Sequence, residues 1–237
     1  VYRGGMSEQP VAIVTGAGSG IGLATVRRLD AEGWRVVLVG RGIDRLESAA
    51  ALCRDSLPVV GDVSEPQHGV EVVGRALDHY GRLDAVVNNA GEAQLLPIDR
   101  HTPEVIESAF RTNAVGPACM IAAAWSAFVA QGSGCVVNLS SYATRDPFNG
   151  FFAYAASKAA VELMAKSCAK EGAAHGIRAY AVAPSAVETP LLRELFDESA
   201  IPASACLLPD AVARVIVECV LGKRTEENGS TIYLTGP

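Results

Sequence analysis

The sequence predicts an α/β fold, a single doubly wound (Rossmann-type) domain with a mostly parallel sheet of about seven strands. Three observations carry this. Short apolar runs recur along the chain and are continuous rather than alternating, as in strands buried on both faces of a parallel sheet. Longer stretches with helical spacing separate them, so the chain reads as successive βαβ units with right-handed crossovers. A glycine-rich run lies between the first apolar strand and the first helix.

In order, the strands are expected at Val11–Thr15, Val36–Val39, Ala85–Val87, Cys135–Leu139, Ala179–Ala183 and Thr231–Leu234. The helices are expected at Ile21–Glu32, Pro66–His79, Pro103–Arg111, Ala114–Ala130 and Ala153–Ala174. In the first of these, Leu23, Val26 and Leu29 share a side. The last is rich in alanine and other good helix formers. Ser185–Pro209 is the least regular stretch, and a connection of that length is commonly a functional lid. No linker, low-complexity tract or charge block divides the chain. A single domain over residues 6–237 follows, with Val1–Gly5, which precede Met6, read as an upstream remnant outside the fold.

Composition narrows the function. Of the 237 residues 49% are hydrophobic, ample for one core, and the net charge of −6 argues against a nucleic-acid surface. No uninterrupted apolar run approaches the roughly 20 residues that span a bilayer, and the N-terminus lacks a basic-then-apolar signal pattern. A cytoplasmic location without membrane partners is expected. The six cysteines show no Cys-x-x-Cys spacing and read as reduced core thiols. The four histidines lack metal-ligand spacing, so no metal is expected.

The glycine run is Gly16-Ala-Gly-Ser-Gly-Ile-Gly22. Glycine lets a ligand approach the main chain, and the free N–H groups and positive end of the following helix favour an anion. This is a pyrophosphate site in the first βα turn. A P-loop would need Gly-Lys-Ser/Thr, and a hydrolase elbow Gly-x-Ser-x-Gly; neither is present.

Tyr154 and Lys158 are four residues apart at the start of the alanine-rich helix, on one face. A phenol with a pKa near 10 is a poor base at neutral pH, and a neighbouring ammonium favours its ionised form. Such a pair can protonate a carbonyl or deprotonate an alcohol. By itself it also fits an amphipathic surface contact. Asn138-Leu-Ser-Ser141 and Asn88-Asn-Ala-Gly91 each close a strand, where open α/β sheets place their ligands; each also fits an ordinary turn.

Together these residues resemble the short-chain dehydrogenase/reductase family. The matching motifs are Thr15–Gly22, Asp62-Val63, Asn88–Gly91, Asn113, Ser141 and Tyr154-Ala-Ala-Ser-Lys158, in the family's order over roughly residues 10–236. The resemblance implies an NAD(P)(H)-dependent oxidoreductase that interconverts a carbonyl and an alcohol. Tyr154 would be the general acid/base. Lys158 would lower its pKa and hold the nicotinamide ribose. Ser141, rather than Ser140, would orient the substrate oxygen, and Asn113 would support a proton-relay water. Gly16, Ser19, Gly20, Ile21 and Gly22 would cradle the pyrophosphate, Asp62 and Val63 flank the adenine, and Asn89, Ala90 and Gly91 line the channel. Pro184, Val187 and Thr189 would meet the nicotinamide. Serine at 185 replaces the family's usual glycine, and a changed backbone is expected beside the nicotinamide. The family also implies a homo-oligomer, tetramer or dimer.

The second strand ends Val39-Gly40-Arg41, without the acidic residue that takes ribose hydroxyls in NAD-binding units. Arg41 would pair with a 2′-phosphate, so NADP(H) is preferred and NAD(H) possible. Asp44 lies beyond the turn and is read as starting a helix. Within Ser185–Pro209, Leu191, Leu192, Leu195 and Phe196 are read as apolar lining, and Glu188 and Arg193 as exposed or contacting a polar substrate. Two other readings stand beside the reductase: a nucleotide-binding regulator or scaffold without turnover, and an NAD(P)-dependent epimerase or dehydratase.

Overall fold

The structure is a computed structural model that describes residues 9–236; Val1–Gly5 lie outside the described residues. Seven strands form one sheet: β1 (Val11–Thr15), β2 (Arg35–Gly40), β3 (Ser56–Val60), β4 (Ala85–Asn88), β5 (Gly134–Leu139), β6 (Ile177–Pro184) and β7 (Thr231–Leu234). Their order is β3-β2-β1-β4-β5-β6-β7, and every pairing is parallel.

The expected strand list omits β3, and the reason is legible. Ser-Leu-Pro-Val-Val is broken by Pro58 and mostly half-buried. Proline has no N–H for a ladder and is tolerated at a sheet edge, where β3 lies. Helix α2 (Ile43–Ala50) holds Asp44 in its first turn, as the residue suggested.

The continuous apolar runs follow from burial on both faces. Along β1, Ala12 and Val14 enter one core cluster, and Val11 and Ile13 the other; successive side chains point to opposite faces. The first cluster is completed by α1 (Gly20–Ala31), α2 and α8 (Pro209–Val220), the second by α3 (His68–Tyr80), α5 (Gly116–Gln131) and α6 (Phe152–Gly172).

One expected helix boundary is more informative than its position. Between α4 (Pro103–Phe110) and α5 the chain widens into a π turn over Arg111–Val115. An α-helix would need the N–H of residue 117 for the Asn113 carbonyl, but residue 117 is proline and has none. The combined run Pro103–Gln131 is 29 residues and, by length and composition only, is apolar enough to cross a membrane, although Glu104, Glu107 and Arg111 interrupt it. Its apolar face is used internally: Met120, Ile121, Ala124 and Phe128 are buried against the sheet.

Ser185–Pro209 is not a bare loop. It contains α7 (Pro190–Leu195) and a 3-10 turn at Ala203–Ala205. It folds back on itself where Leu207 N–H donates to the Ala186 carbonyl and Glu188 N–H to the Leu207 carbonyl, both at 2.9 Å.

Candidate active site

The chain departs in opposite directions from β1 and β4, which opens a crevice at their carboxyl ends. Thr15 ends β1 and ties the two sides together. Its hydroxyl accepts the N–H groups of Asn89 and Ala90, each at 3.0 Å. The Asn89 amide returns a bond to the Thr15 carbonyl at 2.8 Å. Thr15 carries no charge and belongs to the apolar run, so only its place before the glycines hinted at this latch.

The glycine loop fits a phosphate group. Gly16 and Gly20 have φ of +66° and +51°, and a Cβ on Gly16 would lie 2.7 Å from the Asn89 amide nitrogen. A Cβ on Gly22 would lie 2.1 Å from the Gly16 carbonyl oxygen, so this glycine lets α1 sit against the loop. Ser19 occupies the N-cap of α1, but its side chain makes no capping bond. The first N–H groups of the helix are left for an anion.

Gly16, Ser19, Gly20 and Ile21 line a cleft of about 290 Å3 together with Asn89, Ala90, Gly91, Ser141, Tyr154, Lys158, Pro184, Val187 and Thr189. Gly22, Arg41, Asp62, Val63 and Asn113 do not line it. Gly22 and Asn113 are buried behind the wall, and Val63 packs its carbonyl against Gly116. Asp62 sits beyond β3 and feels the charge of exposed Arg41. Burial pushes the Asp62 carboxyl up. The hydrogen bonds from Ser64, with the Arg41 charge, outweigh that and hold it below the usual carboxylate range. The stem of Arg45 covers Gly18, its Cβ 2.9 Å from where a glycine Cβ would stand. The sequence reading missed Arg45 because the contact joins α2 to the loop across 27 positions of chain (45 less 18).

Ser140 and Ser141 separate cleanly. The Ser140 hydroxyl is buried and donates to Glu162 Oε1 at 2.6 Å. The same carboxylate accepts from Thr144 Oγ1 at 2.7 Å and Tyr233 at 3.3 Å. Both serines border the cleft, but the Ser141 hydroxyl is not taken up by Glu162. It accepts the Ala143 N–H at 3.2 Å and lies beside the Tyr154 phenol, whose ionised form it favours by hydrogen bonding.

Tyr154 and Lys158 both face the cleft from the first turns of α6. Lys158 is 4% exposed and donates from Nζ to the Leu139 carbonyl at 2.8 Å. Burial pulls its ammonium down to about 8. Burial also raises the Tyr154 phenol above its ordinary value, and Ser141 offsets only part of this. The expected lowering of the phenol by the lysine is therefore not produced by the chain's own charges: desolvation of the phenolate wins.

Asn113 is held by protein on every polar atom of its side chain. Oδ1 accepts the Glu92 N–H at 3.0 Å, and Nδ2 donates to the Glu92 carbonyl at 2.9 Å and to Ser157 Oγ at 3.0 Å. Ser157 Oγ donates in turn to the Tyr154 carbonyl at 2.8 Å. The side chain thus fixes the first turn of α6. Ser157, which the sequence reading passed over as a small residue inside a motif, is the link.

Ser185 takes up its backbone conformation without a positive φ. Among the described residues no residue other than glycine has positive φ. The Ser185 hydroxyl turns to the chain end and accepts the Gly236 N–H at 2.9 Å. Thr189 caps α7, accepting the Leu192 N–H at 3.2 Å, and donates to the Val187 carbonyl at 3.2 Å. Leu191, Leu192, Leu195 and Phe196 line the cleft, as do Tyr142, Asp146, Phe148 and Phe151, which the sequence reading did not single out. Glu188 and Arg193 are neither free nor at the cleft surface; they form a bidentate ion pair.

The family model for short chain dehydrogenase matches residues 10–200. The protein named ketoacyl reductase 2 of the granaticin polyketide synthase, from Streptomyces violaceoruber, is 39% identical over 191 residues, 77% of this chain and 75% of that protein. Among solved structures, the 3-ketoacyl-(acyl-carrier-protein) reductase of Brucella melitensis complexed with NADH has a TM-score of 0.91 at 27% identity, covering 97% of this chain and 98% of that one. A single-substitution variant of the actinorhodin polyketide ketoreductase with NADPH has a TM-score of 0.90 at 28% identity, covering 96% of each. With its crevice, glycine loop and Tyr154–Lys158 face in this arrangement, the chain belongs to the short-chain dehydrogenase/reductase family of oxidoreductases.

Proposed function

We propose that the chain is a single catalytic domain over residues 6–237 that reduces a carbonyl compound with NADPH. The observation that carries this is the convergence of Ser141, Tyr154 and Lys158 on one cleft with the glycine loop. The bound nicotinamide supplies the hydride. Tyr154 gives the proton to the substrate oxygen, and its resting form suits that role because burial keeps the phenol protonated. Ser141 holds the same oxygen beside the phenol. Lys158 offsets the negative charge that Tyr154 acquires and holds the ribose, next to Gly91. Asn113 positions Tyr154 through Ser157. A relay through Asn113 is left to its main-chain carbonyl, since its amide is fully engaged.

Pro184, Val187 and Thr189, which line the cleft, would border the nicotinamide. Asp62 and Val63 border the adenine. Arg41 takes the 2′-phosphate, with Arg45 on the same side of the loop. A cytoplasmic homo-oligomer, tetramer or dimer, is the assembly this reading carries with it. A net loss of absorbance at 340 nm with NADPH and a panel of ketones tests the reading. Conversion of a substrate without net cofactor consumption would mark an epimerase or dehydratase. Tight cofactor binding without conversion of any substrate would mark a regulator or scaffold.

A further inference from the structure

The two halves of the cleft differ in chemistry. The cofactor half carries Gly16, Gly20, Gly91, Asn89, Ser19 and Thr189 among small apolar side chains. The other half carries three phenylalanines in mutual contact: ring centres lie 6.3 Å apart for Phe148 and Phe151, 5.9 Å for Phe148 and Phe196, and 6.2 Å for Phe151 and Phe196. The Phe151 ring reaches 4.8 Å from the Tyr154 ring, so this aromatic wall runs to the proposed proton donor. Phe148 is 61% exposed at the mouth although two rings hold it in place. Rings arranged in this way favour flat, apolar surfaces set edge-on or offset.

The charges are as distinctive. Lys158 and Asp146 are the only charged side chains that line the cleft among the described residues. Lys158 is turned to the Leu139 carbonyl and the cofactor side. Arg193, on α7 beside the apolar half, is consumed by Glu188 and by the Ile201 carbonyl at 2.8 Å. Arg145, beside Asp146 in sequence, stacks 5.5 Å over Tyr233 and does not line the cleft. An anionic substrate would therefore meet a carboxylate at the entrance and no cation in the apolar half of the cleft. An unpaired charge in such an apolar site is strongly disfavoured.

We infer that the substrate is a neutral carbonyl compound with an aromatic or flat apolar body, and that ketones bearing a carboxylate or phosphate are excluded. Phe148, Phe151 and Phe196 receive the body while Ser141 and Tyr154 receive the carbonyl oxygen. Asp146 is the excluding charge. This rests on the carbonyl-reductase reading above.

The test uses matched ketones: ethyl benzoylformate, its free acid benzoylformate, and ethyl pyruvate. Two measurements are made on the unmodified protein. One is NADPH oxidation. The other is calorimetric binding of each ketone to the complex with NADP+, in which no hydride is available. Expected are a kcat/KM and an affinity about 100-fold higher for the ester than for the acid, and about 10-fold higher for ethyl benzoylformate than for ethyl pyruvate. Asp146→Asn should bring the acid about 10-fold closer to the ester. Binding preferences as stated, without turnover of any ketone, would overturn the reductase reading and uphold this inference. Turnover in which benzoylformate matches its ester, or ethyl pyruvate matches ethyl benzoylformate, would overturn the inference and leave the reductase standing.

Discussion

The Lys158 ammonium lies 6.0 Å from the centre of the Tyr154 ring, and its hydrogen bond goes to the Leu139 carbonyl. Both groups are shaped by burial. The lysine is pulled to about 8 and the phenol is pushed up. A carbonyl reductase needs the phenol protonated and the lysine charged, and these states coexist only below the lysine value. Reduction should therefore hold its kcat/KM up to about pH 8 and fall above it. A pH profile of kcat/KM for ketone reduction that stays flat to about pH 10, the ordinary range for a lysine ammonium, would rule out a required Lys158 charge.

The same burial has a stability cost. A folded-state value near 8 lies below the unfolded lysine value of 10.5. The charged form is penalised in the native state, fully at pH below 8, and the penalty fades as pH rises toward 10.5. It corresponds to about 3 kcal/mol, less about 1 kcal/mol for the lost bond to Leu139 when the side chain is replaced. Lys158→Met should then stabilise the protein by about 2 kcal/mol at pH 7 while abolishing turnover. Denaturant melts at pH 7 and pH 10 should show the gain shrinking at the higher pH. A variant less stable than the parent at pH 7 contradicts this account.

Tyr154→Phe should lower kcat by about 1,000-fold or more and leave cofactor affinity within about 2-fold, because only the proton-transferring oxygen is lost. The neighbouring serines make the internal comparison. Ser141→Ala should lower kcat about 100-fold with little change in melting. Ser140→Ala leaves Glu162 short of one donor and should cost about 1–3 kcal/mol of stability. Chemical denaturation and steady-state kinetics on all three separate the roles; equal kinetic losses for the two serines would refute the assignment of Ser141.

Much of this site was legible because its residues sit at strand ends and helix starts, where sequence pattern and chemistry coincide. Gly16 to Gly22, Tyr154 and Lys158 are of this kind. What stayed hidden depends on contacts between distant segments. Thr15 looks like the last residue of an apolar strand until Asn89 and Ala90 are placed over it. Phe148 and Phe196 are 48 positions apart (196 less 148), and neither belongs to a periodic pattern. The direction of the Tyr154 shift was also missed, because helical spacing shows the ammonium nearby but not the burial that outweighs it.

The segment Ser185–Pro209 is braced by one arginine. Arg193 on α7 grips Glu188 with two bonds and reaches the Ile201 carbonyl, joining both ends of the segment over the cleft. Glu188 is held below its usual range by that guanidinium. Arg193→Ala should loosen α7 and expose the segment at residues 188–201 to limited proteolysis. It should raise KM for the ketone at least about 5-fold with a smaller change in kcat, since the reacting groups lie elsewhere. Cofactor plus ketone should protect the segment in both proteins. Unchanged proteolysis of the variant would show that the ion pair is incidental.

Cofactor choice turns on the end of β2. Gly40 brings no carboxylate to the ribose, and exposed Arg41 follows it. Nothing there repels a 2′-phosphate, and a guanidinium can grip one through its planar fork. The glycine loop carries Ser19 where a second basic residue would help, yet Arg45 approaches that loop from α2. NADPH should accordingly give a higher kcat/KM than NADH, and Arg45→Ala should reduce the advantage without reversing it. Gly40→Asp with Arg41→Ile should shift preference toward NADH. The aspartate is sterically admissible, because a Cβ at residue 40 would lie 3.3 Å from the Leu46 Cδ2 methyl, the end of a flexible side chain. A carboxylate there accepts ribose hydroxyls and repels a 2′-phosphate, so the double variant changes both attraction and repulsion. Steady-state kinetics with both cofactors decide it: NADH preferred by the unmodified protein would remove Arg41 from this role.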